Sequence, residues 1–361
     1  MTDVPATVER QGWHPVALAA DVEAAPQPAM LLGERLVLWR DADGGIRAWA
    51  DRCPHRGAQL SMGCVRGGQL ECPYHGWRFD AGGQAVVVPA LPGFVPPASH
   101  HATVFDAIER YGLVWVRMAS EGDAQPPVFA AEDEARLRKL NCGPYDVAAS
   151  APRIVENFLD MAHFGFVHEG WLGDRDHTAL ADYRIDATPT GFVATGCKAW
   201  QPRSSVHAQG GAEVEYTYEV NAPYTAILSK VPLQAPETPS ASPPQGGVGR
   251  LGSGPAATGA SSVALEDFRE AIALFICPLT PESSRVWFRL AMNDFESPDA
   301  KLQAFQHQIF TQDQPVLESQ SPKCLPISDA APVRELHCAA DRSASAYRRW
   351  LRERGVTFGI C

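Results

Sequence analysis

CPHRGAQLSMGCVRGGQLECPYHGW, Cys53 to Trp77, carries two short clusters of metal-binding side chains, Cys53-x-His55 and Cys72-x-x-His75, with sixteen residues between His55 and Cys72. Two thiolates and two imidazoles form a borderline-soft donor set that suits zinc or iron with sulfide. A zinc finger usually groups its Cys pair apart from its His pair. Here each cluster holds one of each. Two such loops can clamp a [2Fe–2S] centre, with both Cys on one iron and both His on the other. Gly57 and Gly76 suit tight loops that bring backbone N–H groups near the cluster sulfurs. Cys64, between the clusters, reads as a structural thiol.

The surroundings are β-rich. Residues 30–50, MLLGERLVLWRDADGGIRAWA, read as two strands about the turn Asp43-Gly44-Gly45. A hairpin with Gly82-Gly83 at its turn follows the second cluster, and Tyr111–Arg117 reads as a strand closing the unit. The stretch ASEGDAQPP, 119–127, reads as a linker. The expected division is therefore a domain over 1–125 and another over 126–361.

Beyond the linker, Ser150 as N-cap and Pro152 in the first turn predict a helix through RIVENFLDMAHF, 153–164. Strands are expected from Tyr183 to Lys230, over Ala271–Cys277 and over Arg285–Met292. Helices are expected around Ala300–Phe310 and Ala344–Glu353. Residues 236–262 are rich in Pro, Gly, Ser and Ala and read as a mobile loop that serves the second domain as a lid or entrance. Tyr347, Trp350 and Leu351 form a helical stripe expected to pack on its own domain.

At 361 residues the chain is long enough for two domains. A formal net charge of −11 argues against nucleic acid as a partner, since phosphate binding needs a basic face. No signal-peptide pattern opens the chain, and no run of eighteen apolar residues suggests a membrane span. The nine cysteines are odd in number and scattered, which fits a reducing cytoplasm better than a disulfide framework. There is no Walker loop, dinucleotide fingerprint or nucleophile triad.

A second metal site is suggested by His163 and His168. On a regular helix they would point roughly 140° apart, so a shared metal requires the helix to bend or end between them, where Gly165 lies. Asp160 is three residues before His163, a neighbour on a helix surface. Two imidazoles and a carboxylate make the facial triad of non-haem Fe(II) oxygenases. The residues alone leave that carboxylate open among Asp174, Asp176, Asp294 and Asp313.

Cys53-Pro54-His55-Arg56-Gly57 with Cys72-Pro73-Tyr74-His75-Gly76-Trp77 resembles the signature of the Rieske non-haem iron oxygenases. Asn157, Asp160, His163 and His168 resemble the family's Asn-x-x-Asp-x-x-His-x4-His pattern. The resemblance is strongest over 30–118, 150–170 and 305–320, and is only a general pattern of strands between 183 and 300. It implies an α+β chain: an N-terminal Rieske β-domain, then a catalytic domain with an antiparallel sheet flanked by helices, helix-grip-like. It implies a [2Fe–2S] cluster on Cys53, His55, Cys72 and His75. It also implies a mononuclear Fe(II) on His163, His168 and, from the segment Phe310–Gln320, Asp313; Glu318 is the competing carboxylate there and reads rather as a structural partner. Asp160 would bridge from His75 of a neighbouring subunit to His163, in a head-to-tail homotrimer, and Asn157 would lie near the iron. A reductase, with or without a ferredoxin, would bring electrons from NAD(P)H, with O₂ as co-substrate; Arg56 and Trp77 are candidates for the rim that meets it.

The Asp313 segment and Tyr347–Leu351 resemble the branch of N- and O-demethylases and monooxygenases acting on small aromatic, heterocyclic or alkaloid-like compounds. The expected reaction is hydroxylation, or demethylation through an unstable hydroxymethyl product. The alternative is cis-dihydroxylation of an arene. A rival from another class is a Rieske electron-transfer protein without oxygenase activity. Phe158, Phe164 and Phe166 are candidates for the wall of an apolar pocket or for the core.

Overall fold

A computed structural model describes residues 7–119, 124–203, 210–233 and 269–361. The 236–262 loop, and 120–123 of the linker, lie outside the described residues. The N-terminal unit holds a six-stranded antiparallel sheet in the order β1-β10-β9-β4-β3-β2. Its strands are β1 (His14–Leu18), β2 (Gln27–Leu31), β3 (Glu34–Arg40), β4 (Ile46–Ala50), β9 (Val104–Arg110) and β10 (Leu113–Arg117). The stretch 30–50 contains parts of three strands, not two. Met30 and Leu31 end β2, and Leu32 and Gly33, both at positive φ, make an extra turn into β3. The turn was hidden because apolar Leu32 occupies it and extends the run Met30-Leu31.

A smaller sheet, β5 (Cys64–Arg66), β6 (Gln69–Glu71), β7 (Arg78–Phe79) and β8 (Ala85–Val87), carries the two Cys-His loops. The β7–β8 hairpin turns at Gly82-Gly83 as expected. Buried Trp39, Trp49 and Phe79 join the two sheets, with Trp39 edge-on to Trp49 at 5.0 Å and Trp49 edge-on to Phe79 at 6.3 Å. Aromatic pairs in this geometry add to the gain from burial alone.

The second unit is a seven-stranded antiparallel sheet in the order β11-β17-β16-β15-β14-β13-β12. Its strands are β11 (Arg138–Val147), β12 (Arg184–Ala187), β13 (Phe192–Gln201), β14 (Ala212–Ala222), β15 (Thr225–Pro232), β16 (Glu270–Thr280) and β17 (Ser283–Met292). Both faces of its centre are buried, which explains why β16 reads as a continuous apolar run. Leu274 and Ile276 face the helices, while Ala271, Ala273, Phe275 and Cys277 face the N-terminal sheet. Phe275 stacks on Tyr111 at 5.5 Å and meets Trp115 edge-on at 4.9 Å, so the two units share a core.

Helices cover the other face. After the short α1 (Val8–Gln11), α2 spans Ala151–Leu159, and the Ser150 hydroxyl accepts from the Arg153 amide at 3.4 Å. The helix is shorter than expected, because Asp160 adopts an extended backbone and ends it. A single turn, α3 (Phe164–Val167), follows. α4 (Asp299–Ser319) runs past the expected Phe310 and through Pro315, because Ile309, Asp313 and Leu317 continue its buried face at i, i+4 spacing. α5 (Arg342–Glu353) buries Tyr347 and Leu351, as the stripe suggested. Its Arg348 reaches inward to Glu156 and Glu335 rather than to solvent.

Candidate metal centres and substrate cavity

The two Cys-His loops are built alike. The carbonyl of Cys53 accepts from the Gly57 amide at 2.9 Å, and the Cys53 amide donates to Ala58 at 2.8 Å. The carbonyl of Cys72 accepts from Gly76 at 3.1 Å, and its amide donates to Trp77 at 2.8 Å. Each turn needs a left-handed residue four positions after the cysteine; Gly57 and Gly76, at φ +75° and +69°, supply it. Cys53 and Cys72 are buried, while His75 is exposed at the tip. The rings of His55 and His75 are 4.6 Å apart, and Trp77 stacks on His55 at 4.6 Å. Cys64 pairs β5 to β6 from outside this set.

The donor set fits a two-iron, two-sulfide cluster. His55 Nδ1 is buried without a hydrogen-bond partner among the described residues, an arrangement a metal would satisfy. Burial, with Cys72 alongside, pushes the Cys53 thiol up to about 11. Metal binding there requires the thiol to lose its proton, so binding and deprotonation are coupled.

The second set converges from two elements, α3 and α4. His163 precedes α3, His168 ends it, and Asp313 comes from α4. Asp313 Oδ1 lies 3.4 Å from His163 Nε2 and 3.2 Å from His168 Nε2. One donor atom from each lies within 4.8 Å of the others. The far ring nitrogens are also engaged: His163 Nδ1 with Asp160 Oδ2 at 3.0 Å, and His168 Nδ1 with Gln312 Oε1 at 2.9 Å. Both acceptors fix the tautomer that leaves Nε2 free for a metal. Asn157 Nδ2 is 3.4 Å from Asp313 Oδ1. Burial raises the pKa of Asp160. Hydrogen bonds from His163 and from the Ala162 amide outweigh that and hold the carboxylate below its ordinary range.

The helix does break, but at Asp160–Ala162, upstream of both histidines rather than between them. Gly165 has a different task from the bend expected of it. A Cβ there would sit 2.6 Å from the Asp174 carbonyl, so glycine permits close packing of the following loop. The other aspartates are engaged elsewhere. Asp174 accepts from His177 at 2.7 Å, Asp294 accepts from the Ser297 amide at 2.8 Å, and Asp176 is exposed. Glu318 accepts from the Ala148 amide at 3.1 Å, a structural tie. Gln312 had no assigned part in the sequence reading, since no spacing rule singles out a neutral residue beside a ligand.

The three-donor set opens onto a cavity. Phe158 and Phe164 line it. Phe166 does not; it is 53% exposed beneath the Arg175 guanidinium. Gln201, Tyr216, Tyr218 and Lys230 also line it.

Residues 12–104 match the family model of the Rieske [2Fe-2S] domain, and residues 147–356 match that of the vanillate O-demethylase oxygenase C-terminal domain. This chain belongs to the Rieske non-haem iron oxygenases. The oxygenase is 31% identical to methylxanthine N1-demethylase NdmA of Pseudomonas putida over 355 residues, 95% of this chain and 88% of that protein. It superimposes on the structure of Pseudomonas putida NdmA with caffeine at a TM-score of 0.75 and 30% identity, covering 95% and 90% of the two chains. The oxygenase component of dicamba O-demethylase from Stenotrophomonas maltophilia is 35% identical over 165 residues, 45% of this chain and 48% of that one. As a Rieske oxygenase the protein is an oxidoreductase that uses a Rieske cluster, a mononuclear iron, O₂ and electrons from NAD(P)H delivered through a reductase. The match over 147–356 sets aside the electron carrier without an oxygenase domain. Among the described residues, no helix is long and apolar enough to cross a membrane.

Proposed function

We propose that this Rieske oxygenase is the terminal component of an N- or O-demethylating system. One atom of O₂ enters a methyl C–H bond of a small aromatic or heterocyclic substrate. The hydroxymethyl product then releases formaldehyde. The other oxygen leaves as water, with two electrons from NAD(P)H and two protons. The observation that carries this reading is the three-donor set opening onto an apolar cavity, in a chain similar over nearly its full length to an N-demethylase.

In this reading Cys53 and Cys72 hold one iron of the cluster, and His55 and His75 the other. His163, His168 and Asp313 hold the mononuclear iron. When bound, the cluster supplies single electrons and the mononuclear iron supplies O₂ activation. The chain supplies everything else. Asp160 and Gln312 hold the two imidazoles in one tautomer and direction. Asn157 donates toward Asp313 and limits its rotation. Phe158 and Phe164 keep water from the open side.

The same reading makes the active unit a head-to-tail trimer. His75 is exposed at the loop tip, and Asp160 lines a second, polar cavity beside α2, so a neighbour's tip would meet Asp160 there. The units divide near residue 125, between the two family matches. A cytoplasmic location fits nine cysteines of which none forms a disulfide within the chain.

The test begins with anaerobically purified protein. About three irons and two sulfides per chain are expected. With a donor reductase, formaldehyde should form one-for-one with O₂ and NAD(P)H consumed, from a native species of three chains. A diol carrying both atoms of one O₂ would replace this reading with cis-dihydroxylation.

A further inference from the structure

The cavity beside the three-donor set has an uneven wall. Apart from its two histidines, its described lining holds one cation, Lys230. Lys230 is buried, and its Nζ is held 2.9 Å from Glu270 Oε2. The two are direct cross-strand partners on β15 and β16. Glu270 lines a smaller adjoining cavity rather than the main one, so the ammonium meets the main cavity already neutralised. A carboxylate entering there would have to compete with Glu270 and leave it without its cation, which is costly.

Two neutral polar groups on the same wall lack partners. Gln201 and Tyr218 are fully buried, and both line the cavity. One end of the Gln201 amide bonds the Tyr216 hydroxyl. The other end, and the Tyr218 hydroxyl, have no partner among the described residues. Buried polar atoms left unpaired carry a cost that a bound ligand can remove. A run of rings joins Tyr218 to the donor set within this cavity. Tyr218 stacks on Tyr216 at 5.8 Å, Tyr216 meets Phe164 at 5.9 Å, and Phe164 lies 6.0 Å from His168.

We infer that the cavity takes an uncharged, flat heterocycle with adjacent hydrogen-bond donor and acceptor, a cyclic amide or imide, docked on Gln201 and Tyr218. The Lys230–Glu270 pair keeps aromatic carboxylates out. The inference rests on the reading above for the cavity being the substrate site, and its test does not depend on turnover.

Anaerobic equilibrium binding to the holoenzyme separates the cases, with 1-methyluracil, 4-methoxybenzoate and 4-methylanisole as probes. 1-Methyluracil should bind at least about tenfold more tightly than either other probe. Glu270→Gln should raise affinity for 4-methoxybenzoate by about tenfold, and adding Lys230→Gln should abolish that gain. Tyr218→Phe and Gln201→Leu should each weaken 1-methyluracil about tenfold and leave 4-methylanisole unchanged. The inference is overturned if 1-methyluracil fails to bind, or if 4-methoxybenzoate binds the unaltered protein as tightly. It is equally overturned if Glu270→Gln, with full iron and sulfide, leaves the preference as it was. If that variant does not fold, Tyr218→Phe decides, because an unchanged preference for 1-methyluracil over 4-methylanisole also overturns it. Formaldehyde release is scored separately: tight neutral binding without formaldehyde would sink the demethylase reading and leave this one standing.

Discussion

Asp160 and Gln312 do the same mechanical job with different charge. Each accepts a hydrogen bond from the Nδ1 of one histidine and turns that ring's Nε2 toward Asp313. Asp160→Asn keeps an acceptor in place and removes the negative charge. Iron and sulfide contents should therefore hold, while turnover falls by about 10- to 100-fold. Normal coupled turnover in that variant would remove Asp160 from the electron path. Gln312→Leu removes the acceptor itself. Titration of metal-depleted protein with Co(II) should show affinity reduced by about 10- to 100-fold, and Gln312→Glu should restore it. Equal affinity in Gln312→Leu would mean that packing alone orients His168.

At the scale of elements, the short turn α3 owes its place to a close approach. Gly165 lies against the Asp174 carbonyl, and Gly173 of the same loop lies against Phe164 and Gly165. A methyl group at 165 would also come within 2.9 Å of Thr178. Backbone must yield, since a carbonyl is not a flexible side-chain end. Gly165→Ala should lower unfolding free energy by about 1–3 kcal/mol. Iron at the three-donor set should fall as well, because His163 and His168 flank the displaced turn. Melting of the metal-depleted and loaded forms separates the two effects; a variant with unchanged stability and full iron would show that the loop gives way freely.

Across the whole molecule, the N-terminal segment links the two units. Glu9 accepts from the Phe358 amide at 2.8 Å near the C-terminal end, while His14 begins β1 of the N-terminal sheet. His14 Nε2 donates to the Glu9 carbonyl at 2.7 Å, and its ring lies 5.6 Å from Tyr224 in the β14–β15 turn. Burial pushes the His14 pKa down to about 4, with Glu9 only partly opposing it. The unfolded chain therefore takes up a proton that the folded chain refuses. This contribution to stability is complete above the ordinary histidine value and is lost as pH falls from there through about 4. Between about pH 7.5 and about pH 5.5 the loss from His14 alone should be about 1.4 kcal/mol. Denaturant midpoints at the two values measure it, and His14→Gln should remove that part of the slope. A slope unchanged by the substitution would show that other groups set the acid sensitivity.

The sequence by itself determined whatever depends on neighbours along the chain. The loops at Cys53–Gly57 and Cys72–Trp77 were legible because their bonds close within five residues. The Ser150 cap and the period-2 strands were legible for the same reason. The two histidines, five residues apart, were also legible as a pair. Tertiary structure decided what needs partners far away. The helix broke at Asp160 rather than bending at Gly165, whose glycine instead admits the loop near Asp174. α4 continued through Pro315, because the buried face through Leu317 outweighs one lost donor. Phe166 faced outward while Phe158 and Phe164 lined the cavity. The partners Gln312, Gln201 and Glu270 became visible only when strands and helices brought distant residues together. Local hydrogen bonding and periodicity are written along the chain; burial and charge pairing arise only once it folds.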